Sequence, residues 1–143
     1  MIAPVFVIVA LGVSEVSRLF DIQNQLAVAA REGARLASMD RRAIGNAVDQ
    51  STNDKITEDI QQLLVSNGLQ GREAIIFIVH ADDHMSFFDF DNPVNDLRLF
   101  EIRIELPYIS TGGIGVTPGE ELTLSSKVVF RNGRAPLANN VND

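Results

Sequence analysis

The chain has 143 residues, a net charge of −7 and an apolar fraction of 45%, enough for one domain with an ordinary core or for a helix plus a smaller domain. The acidic balance leaves no basic patch to neutralise phosphates, so nucleic acid is not an expected partner. Cysteine is absent, which excludes disulfides, thiolate metal sites and a thiol nucleophile.

Residues 1–39 predict one long helix that serves assembly or membrane attachment. Residues 1–13 are apolar on all sides, and no proline follows Pro4 in this stretch. From Glu15 onward one face recurs at steps of three and four residues, at Glu15, Leu19, Ile22, Gln25/Leu26, Ala29, Gly33 and Leu36. At about 1.5 Å per residue, such a helix is on the order of 50–60 Å long. Because one small domain cannot cover that length, we expect other chains, lipid or both to bury its N-terminal part.

The apolar block also allows a competing interpretation. Val5–Val9 is rich in β-branched and aromatic residues, which by local preference suit a buried strand. We favour a helix because no turn residue separates this run from the helical pattern that follows. The block ends at Ser14, so it is shorter than the roughly 20 apolar residues of a membrane span. It also lacks the basic region and the cleavage site of a signal peptide.

Residues 40–134 predict an α+β head. Residues 40–42 mark either a helix break with Asp40 as the N-cap or a kink, and a short helix is expected at residues 43–48. A cluster of capping residues at 51–54 opens a second amphipathic helix, which Asn67-Gly68 closes in the manner of a left-handed C-cap. One face of this helix carries Ile56, Ile60, Leu63 and Leu64, with Val65 as a further candidate.

From Glu73 the period changes to two, which predicts three strands. The first, residues 74–80, is so apolar that we expect it to be central and covered on both faces. The second, residues 97–106, directs Phe100, Ile102, Ile104 and Leu106 inward and Glu101, Arg103 and Glu105 outward. The third, residues 122–131, directs Leu122, Leu124, Ser126, Val128 and Phe130 inward.

The connections between these strands contain no crossover helix, which favours an antiparallel sheet. The predicted fold class is therefore α+β: a long N-terminal hydrophobic and amphipathic helix, plus shorter helices, packed on a three-stranded or slightly larger antiparallel sheet. Residues 111–119 predict a glycine-rich loop, and residues 135–143 predict a flexible tail.

Few residues suggest chemistry, and we expect neither an enzyme nor a bound cofactor. His80 and His84 are four residues apart, a zinc spacing on a helix, but they follow a strand and have no third ligand at that spacing. Asp89, Asp91, Asn92 and Asp96 form a weak candidate calcium loop without the EF-hand pattern. Asx turns are the alternative for these oxygens. The same loop holds Phe87, Phe88 and Phe90, so it either folds back on the core or forms a subunit contact.

Two phrases carry a family resemblance: Gly12-Val13-Ser14-Glu15 and Ala29-Ala30-Arg31-Glu32-Gly33-Ala34-Arg35. Together with the apolar helix they resemble the TadE-like family, pilin-like proteins of tight-adherence pilus and secretion systems. The resemblance implies a pilin-like fold and a subunit of the bacterial cell envelope. It would span the inner membrane once before assembly and then enter an extracellular filament or a periplasmic complex. It also implies a prepilin peptidase and an assembly platform as partners.

One feature departs from that family pattern. Family members usually begin with a short basic leader and a glycine cut by the peptidase, whereas this sequence starts inside the apolar block. We expect either that its true beginning is missing or that the start was assigned late.

The sequence thus predicts a structural subunit that forms a homo-oligomer or filament with copies of itself or with related pilins. The predicted assembly helix carries Val5, Ile8, Leu11, Gly12, Glu15, Arg18, Leu19, Ile22, Leu26, Ala29 and Gly33. Small residues around Gly33 allow another backbone or the chain's own sheet to approach closely. Glu15 needs a partner, either Arg18 or a neighbouring subunit. The alternative function is a membrane-anchored extracytoplasmic module that binds a carbohydrate or a protein through loops 82–96 or 110–120.

Overall fold

The computed structural model describes residues 3–39, 51–109, 119 and 121–133. Its elements are helix α1 (Ala3–Ser38), helix α2 (Thr52–Ser66), and strands β1 (Ile75–His80), β2 (Leu99–Ile109) and β3 (Glu121–Arg131). A one-turn 3-10 helix lies at Pro93–Asn95. The helix expected at 43–48, most of the loop at 111–119 and the tail at 135–143 lie outside the described residues.

Helix α1 is continuous over 36 residues, so the helical interpretation of Val5–Val9 is confirmed and the strand alternative is wrong. Pro4 lies in the first turn, where its missing N–H costs no helical hydrogen bond. Arg35 lies in the last turn, where a cation interacts favourably with the helix dipole.

Helix α2 begins and ends where the capping residues predict, but its N-terminal cap comes from elsewhere in the chain. Ser51 makes no side-chain capping hydrogen bond. Instead, the Asp91 carboxylate accepts hydrogen bonds from the backbone N–H of Thr52 at 2.9 Å and from the Thr52 hydroxyl. At the other end Gly68 adopts φ of 81°, the left-handed conformation that glycine adopts without strain.

The three strands form an antiparallel sheet in the order β1-β2-β3, which confirms the predicted fold class. The prediction that the first strand is central is wrong: β2 is central and β1 is an edge. Ile75 and Phe77 of β1 are exposed, so its unbroken apolar run does not reflect burial on both faces. The C-terminal part of β1 is paired further by residues 86–88, through an isolated bridge between Val79 and Phe87.

One face of the sheet carries the core, and α1 and α2 pack on it. The inward residues of β2 are the four that alternation predicts, joined by Tyr108. Residues of β3 alternate between exposed and half-buried in the predicted phase. From the helices, the buried apolar residues are Ile22, Leu26, Ala29, Ala30, Ala34, Ala37, Ile56, Ile60 and Leu64.

Candidate assembly interface

The N-terminal end of α1 is apolar and uncovered. Residues 3–11, here called the exposed segment, are all exposed. Its large apolar side chains are 47–71% exposed: Val5, Phe6, Val7, Ile8, Val9 and Leu11. Isolated apolar residues are common on protein surfaces, but a contiguous block of this kind marks an interaction site. Among the described residues, no helix is long and apolar enough to cross a membrane.

The rest of α1 packs inside the molecule. Its buried stripe begins at Gly12 and Glu15 and continues through Ile22 and Leu26 to Ala37. At Gly33 the packing leaves no space for a side chain, since an added Cβ would lie 2.5 Å from Ile60 Cδ1 of α2. The small residues therefore bring α1 close to the chain's own second helix and sheet.

Glu15 marks the boundary between the two parts of α1. It is buried, and the Tyr108 hydroxyl at the end of β2 donates a hydrogen bond of 2.9 Å to its Oε1. The Arg18 guanidinium lies 6.0 Å from the centre of the Tyr108 ring, within the range of a cation–π contact. Burial, and then the hydrogen bond to Glu15, raise the pKa of Tyr108 above its ordinary value. This contact places the end of β2 beside Glu15, four residues after the exposed segment ends at Leu11.

An open groove of about 420 Å³ runs between α1 and β3. Val28, Val128 and Phe130 give it apolar walls, and charged side chains of α1 lie along its rim: Arg31, Glu32 and Arg35. Arg35 donates hydrogen bonds of 2.9 and 3.2 Å to the Glu32 carboxylate. Because Val28 is exposed and both β3 residues are only half-buried, the groove is accessible from outside.

The opposite face of the sheet carries a charged cluster around Glu101. This carboxylate is 1% exposed, although alternation predicts that it faces solvent. Arg103 donates two hydrogen bonds to its Oε1, and His84 Nδ1 lies 3.3 Å from its Oε2. Lys127 Nζ lies 4.0 Å from the same oxygen. Glu101 is buried by these neighbouring side chains and not by a second layer of helices or strands. The prediction that it lies on the outer face of the sheet is therefore confirmed, and the prediction that it is exposed to solvent is wrong.

The loop at residues 82–96 folds back on the core, one of the two predicted outcomes. Phe88 and Phe90 are fully buried, and their rings contact Phe100 at centroid distances of 5.4 Å in a tilted and 4.8 Å in an edge-to-face arrangement. The Asn53 side chain of α2 holds this loop, because it donates to Phe88 O at 2.7 Å and accepts from Phe90 N at 3.1 Å.

Three of the four residues of the candidate calcium loop have side-chain oxygens that accept hydrogen bonds within the chain. Asp89 accepts from the backbone of Asp91, and Asn92 accepts from the backbone of Val94, which are Asx turns. Asp91 caps α2. Within the described ranges, no group of three or more histidine, aspartate and glutamate side chains is placed to hold a metal ion.

The predicted assembly residues therefore separate into two sets. Val5, Ile8 and Leu11 lie in the exposed segment, and Arg18 is exposed beside Tyr108. Gly12, Glu15, Leu19, Ile22, Leu26, Ala29 and Gly33 form or border the stripe that packs on the chain's own sheet and second helix. The burial of this second set within one chain agrees with the alternative in which the small-residue face packs on the chain's own sheet, and a role of these residues in assembly stays a prediction.

Three residues important to this arrangement were missed from the sequence: Tyr108, Asn53 and Glu101. Tyr108 is the single tyrosine and follows Pro107 at a strand end, which signals a special position but not its partner 93 residues away. Asn53 sits in a cluster of capping residues, and that role conceals its contact with the loop. Nothing in the alternating pattern of β2 signals the burial of Glu101.

These observations define a class of α+β protein in which one long N-terminal helix packs on an antiparallel sheet along its C-terminal part and leaves its N-terminal end uncovered. The family model described as TadE-like protein matches residues 1–35, about a quarter of the chain. The resemblance read from the two phrases of α1 is thereby confirmed over this segment, and it associates the chain with the tight-adherence pilus of the cell envelope. No curated protein and no solved structure gives a significant match.

Proposed function

We propose that the chain is a structural, non-catalytic subunit of a tight-adherence pilus or secretion apparatus. It assembles through the exposed segment into a filament or a membrane complex, with copies of itself or with related pilins. The observation that carries the proposal is that residues 3–11 are apolar on all sides of α1 and uncovered. The match of residues 1–35 to TadE-like proteins supports the same role.

The energetics of this segment favour several neighbours over one. Burying six large apolar side chains that are now about half exposed would contribute on the order of 10 kcal/mol. Association itself costs about 4–15 kcal/mol. A single partner covers only one side of a helix, so its share of the gain, about 5 kcal/mol, lies near the lower end of that cost and leaves little net stabilisation. A bundle of helices, or a bundle together with lipid, covers all sides.

The family resemblance extends the proposal to the route of assembly. Before assembly the chain is held in the inner membrane by its N-terminal helix, is processed by a prepilin peptidase and is passed to an assembly platform. Its α+β head then lies outside the membrane, in an extracellular filament or a periplasmic complex.

The test is a full-length variant with Val5→Gln, Ile8→Gln and Leu11→Gln. The parent chain should form large polymers in sedimentation and electron microscopy, and the variant should sediment as a folded monomer with an unchanged sheet signal in circular dichroism. The control is Val65→Gln, Ile75→Gln and Met85→Gln, since these head residues are also exposed. A monomeric parent, or equal assembly by both variants, would refute the proposal.

A second candidate function is a membrane-anchored binding module. It is favoured by one observation: Met85 and Phe87 are 94% and 66% exposed on the loop beside His84 and Glu101. Such a module would bind a protein or a carbohydrate through this loop and would not polymerise. Sedimentation of the intact chain therefore separates the two functions.

A further inference from the structure

The groove between α1 and β3 stays open in the folded chain, although Val128 and Phe130 on its wall also pack against the core. We infer that this groove receives the exposed segment of a second copy of the chain. The inference rests on the proposed assembly function and adds the surface on which the segment docks.

The chain's own exposed segment cannot fill the groove. Both lie on the same continuous helix, and Ile8 at the centre of the segment is 23 positions from Arg31 at the groove. At about 1.5 Å per residue this separates them by roughly 35 Å along the axis. An exposed segment that docks in this groove must therefore come from another copy of the chain.

The chemistry of the two surfaces matches. The groove walls are apolar at Val28, Val128 and Phe130, and the Glu32–Arg35 ion pair neutralises its own charges at the rim. Residues 1–14 contain no charged side chain, so docking the segment buries no unpaired charge against the groove. Arg31 is exposed on the rim, and a side chain of this type can cover apolar surface with its methylene groups while its guanidinium stays in water.

The dimensions indicate a shallow contact that is repeated rather than a single tight one. A volume of about 420 Å³ accommodates a few side chains of the segment, not a whole helix. A stable protein pair buries about 800 Å² on each partner, more than one side of a nine-residue helix offers. The docked segment is thus held by this groove together with the helices of other neighbours.

The contact is heterologous, because the segment and the groove are different surfaces of one chain. Contacts of this kind generate open-ended assemblies when the rotation does not close a ring. Two parallel copies would be offset by roughly 30–35 Å along the helix axis, which brings Ile8 of one copy beside Val28 of the next.

The experiment uses the absence of cysteine from the chain. Full-length Ile8→Cys is mixed with full-length Val28→Cys and treated with a short bis-maleimide cross-linker. Val65→Cys, a valine of similar exposure on α2, replaces Val28→Cys in the control mixture. A mixed product that is several-fold more abundant with Val28→Cys than with Val65→Cys is the expected result.

Two further measurements keep the inference falsifiable. Val28→Glu places a charge in the groove and should weaken assembly at least about tenfold, whereas Val65→Glu should leave it unchanged. If the parent polymerises but Ile8 links equally to positions 28 and 65, or only to itself, the groove is not the docking site and the proposed function stands. If the parent does not polymerise, the proposed function fails and this inference fails with it.

Discussion

Substituting Gly33 with alanine tests whether the small-residue face of α1 docks within the chain. The structure places an added Cβ 2.5 Å from Ile60 Cδ1 and 2.6 Å from Ile60 Cγ1, far closer than van der Waals contact. Alanine should gain about 1 kcal/mol of helix propensity over glycine. Overpacking a well-packed core costs about 1–3 kcal/mol. We therefore expect Gly33→Ala to lower the free energy of unfolding by about 0–2 kcal/mol, and Gly33→Leu to lower it further while the sheet signal remains.

The sign of the effect should reverse when the clashing atoms are removed. Ile60→Ala deletes both Cγ1 and Cδ1 and should by itself cost about 2–5 kcal/mol. In that background Gly33→Ala meets no obstacle, so only its propensity gain of about 1 kcal/mol remains and it should stabilise the protein.

The assay is urea-induced unfolding followed by circular dichroism. All variants carry the glutamine substitutions at Val5, Ile8 and Leu11, so that association does not contribute to the unfolding. An effect of Gly33→Ala with the same sign and size in both backgrounds would refute the packing of α1 on Ile60. The face around Gly33 would then be open to another subunit.

Two further predictions concern the contacts that position the sheet and the loop. Tyr108 is the only tyrosine, and because its pKa is raised from 10, its phenolate absorbance should appear at a higher pH in the folded chain than in urea. The stability that neutral Tyr108 contributes is complete below about pH 10 and is lost as the pH rises through the raised pKa. Glu15→Gln should lower the pKa of Tyr108, because it removes the carboxylate that accepts the hydrogen bond. A titration midpoint of the folded chain at the ordinary tyrosine pKa would contradict the buried contact. Asn53→Ala should lower the free energy of unfolding by about 2–4 kcal/mol, because it leaves Phe88 O and Phe90 N without their side-chain partner. Urea unfolding measures this loss, and a change below about 0.5 kcal/mol, typical of surface substitutions, would show that the loop does not depend on Asn53.

The elements themselves could be predicted from the sequence, because their causes are local. The three-and-four spacing from Glu15 predicts the stripe of α1, and Gly68 predicts the end of α2. Alternation along β2 and β3 predicts their inward faces. Each of these rests on residues within a few positions of one another.

The candidate site could be predicted only in part. The apolar character of residues 1–13 predicts an interaction surface, and the structure leaves residues 3–11 of it uncovered. The sequence also placed Ile22, Leu26 and Gly33 on the assembly helix and left open whether another chain or the chain's own sheet meets the face around Gly33; in the structure these three residues are buried within the chain. Small residues at helical spacing show that a neighbour comes close, but they do not show which neighbour.

What the sequence by itself determined is therefore the periodicity of each element, the apolar face that each must bury, and the TadE-like character of α1. Only the tertiary structure decided which surface covers each face: that β1 is an edge, that the loop returns Phe88 and Phe90 to the core, and that Tyr108 meets Glu15. The physical reason is that burial of apolar surface is non-directional. The apolar content of each element determines how much surface must leave water, whereas contacts between residues far apart in the chain determine which surface covers it.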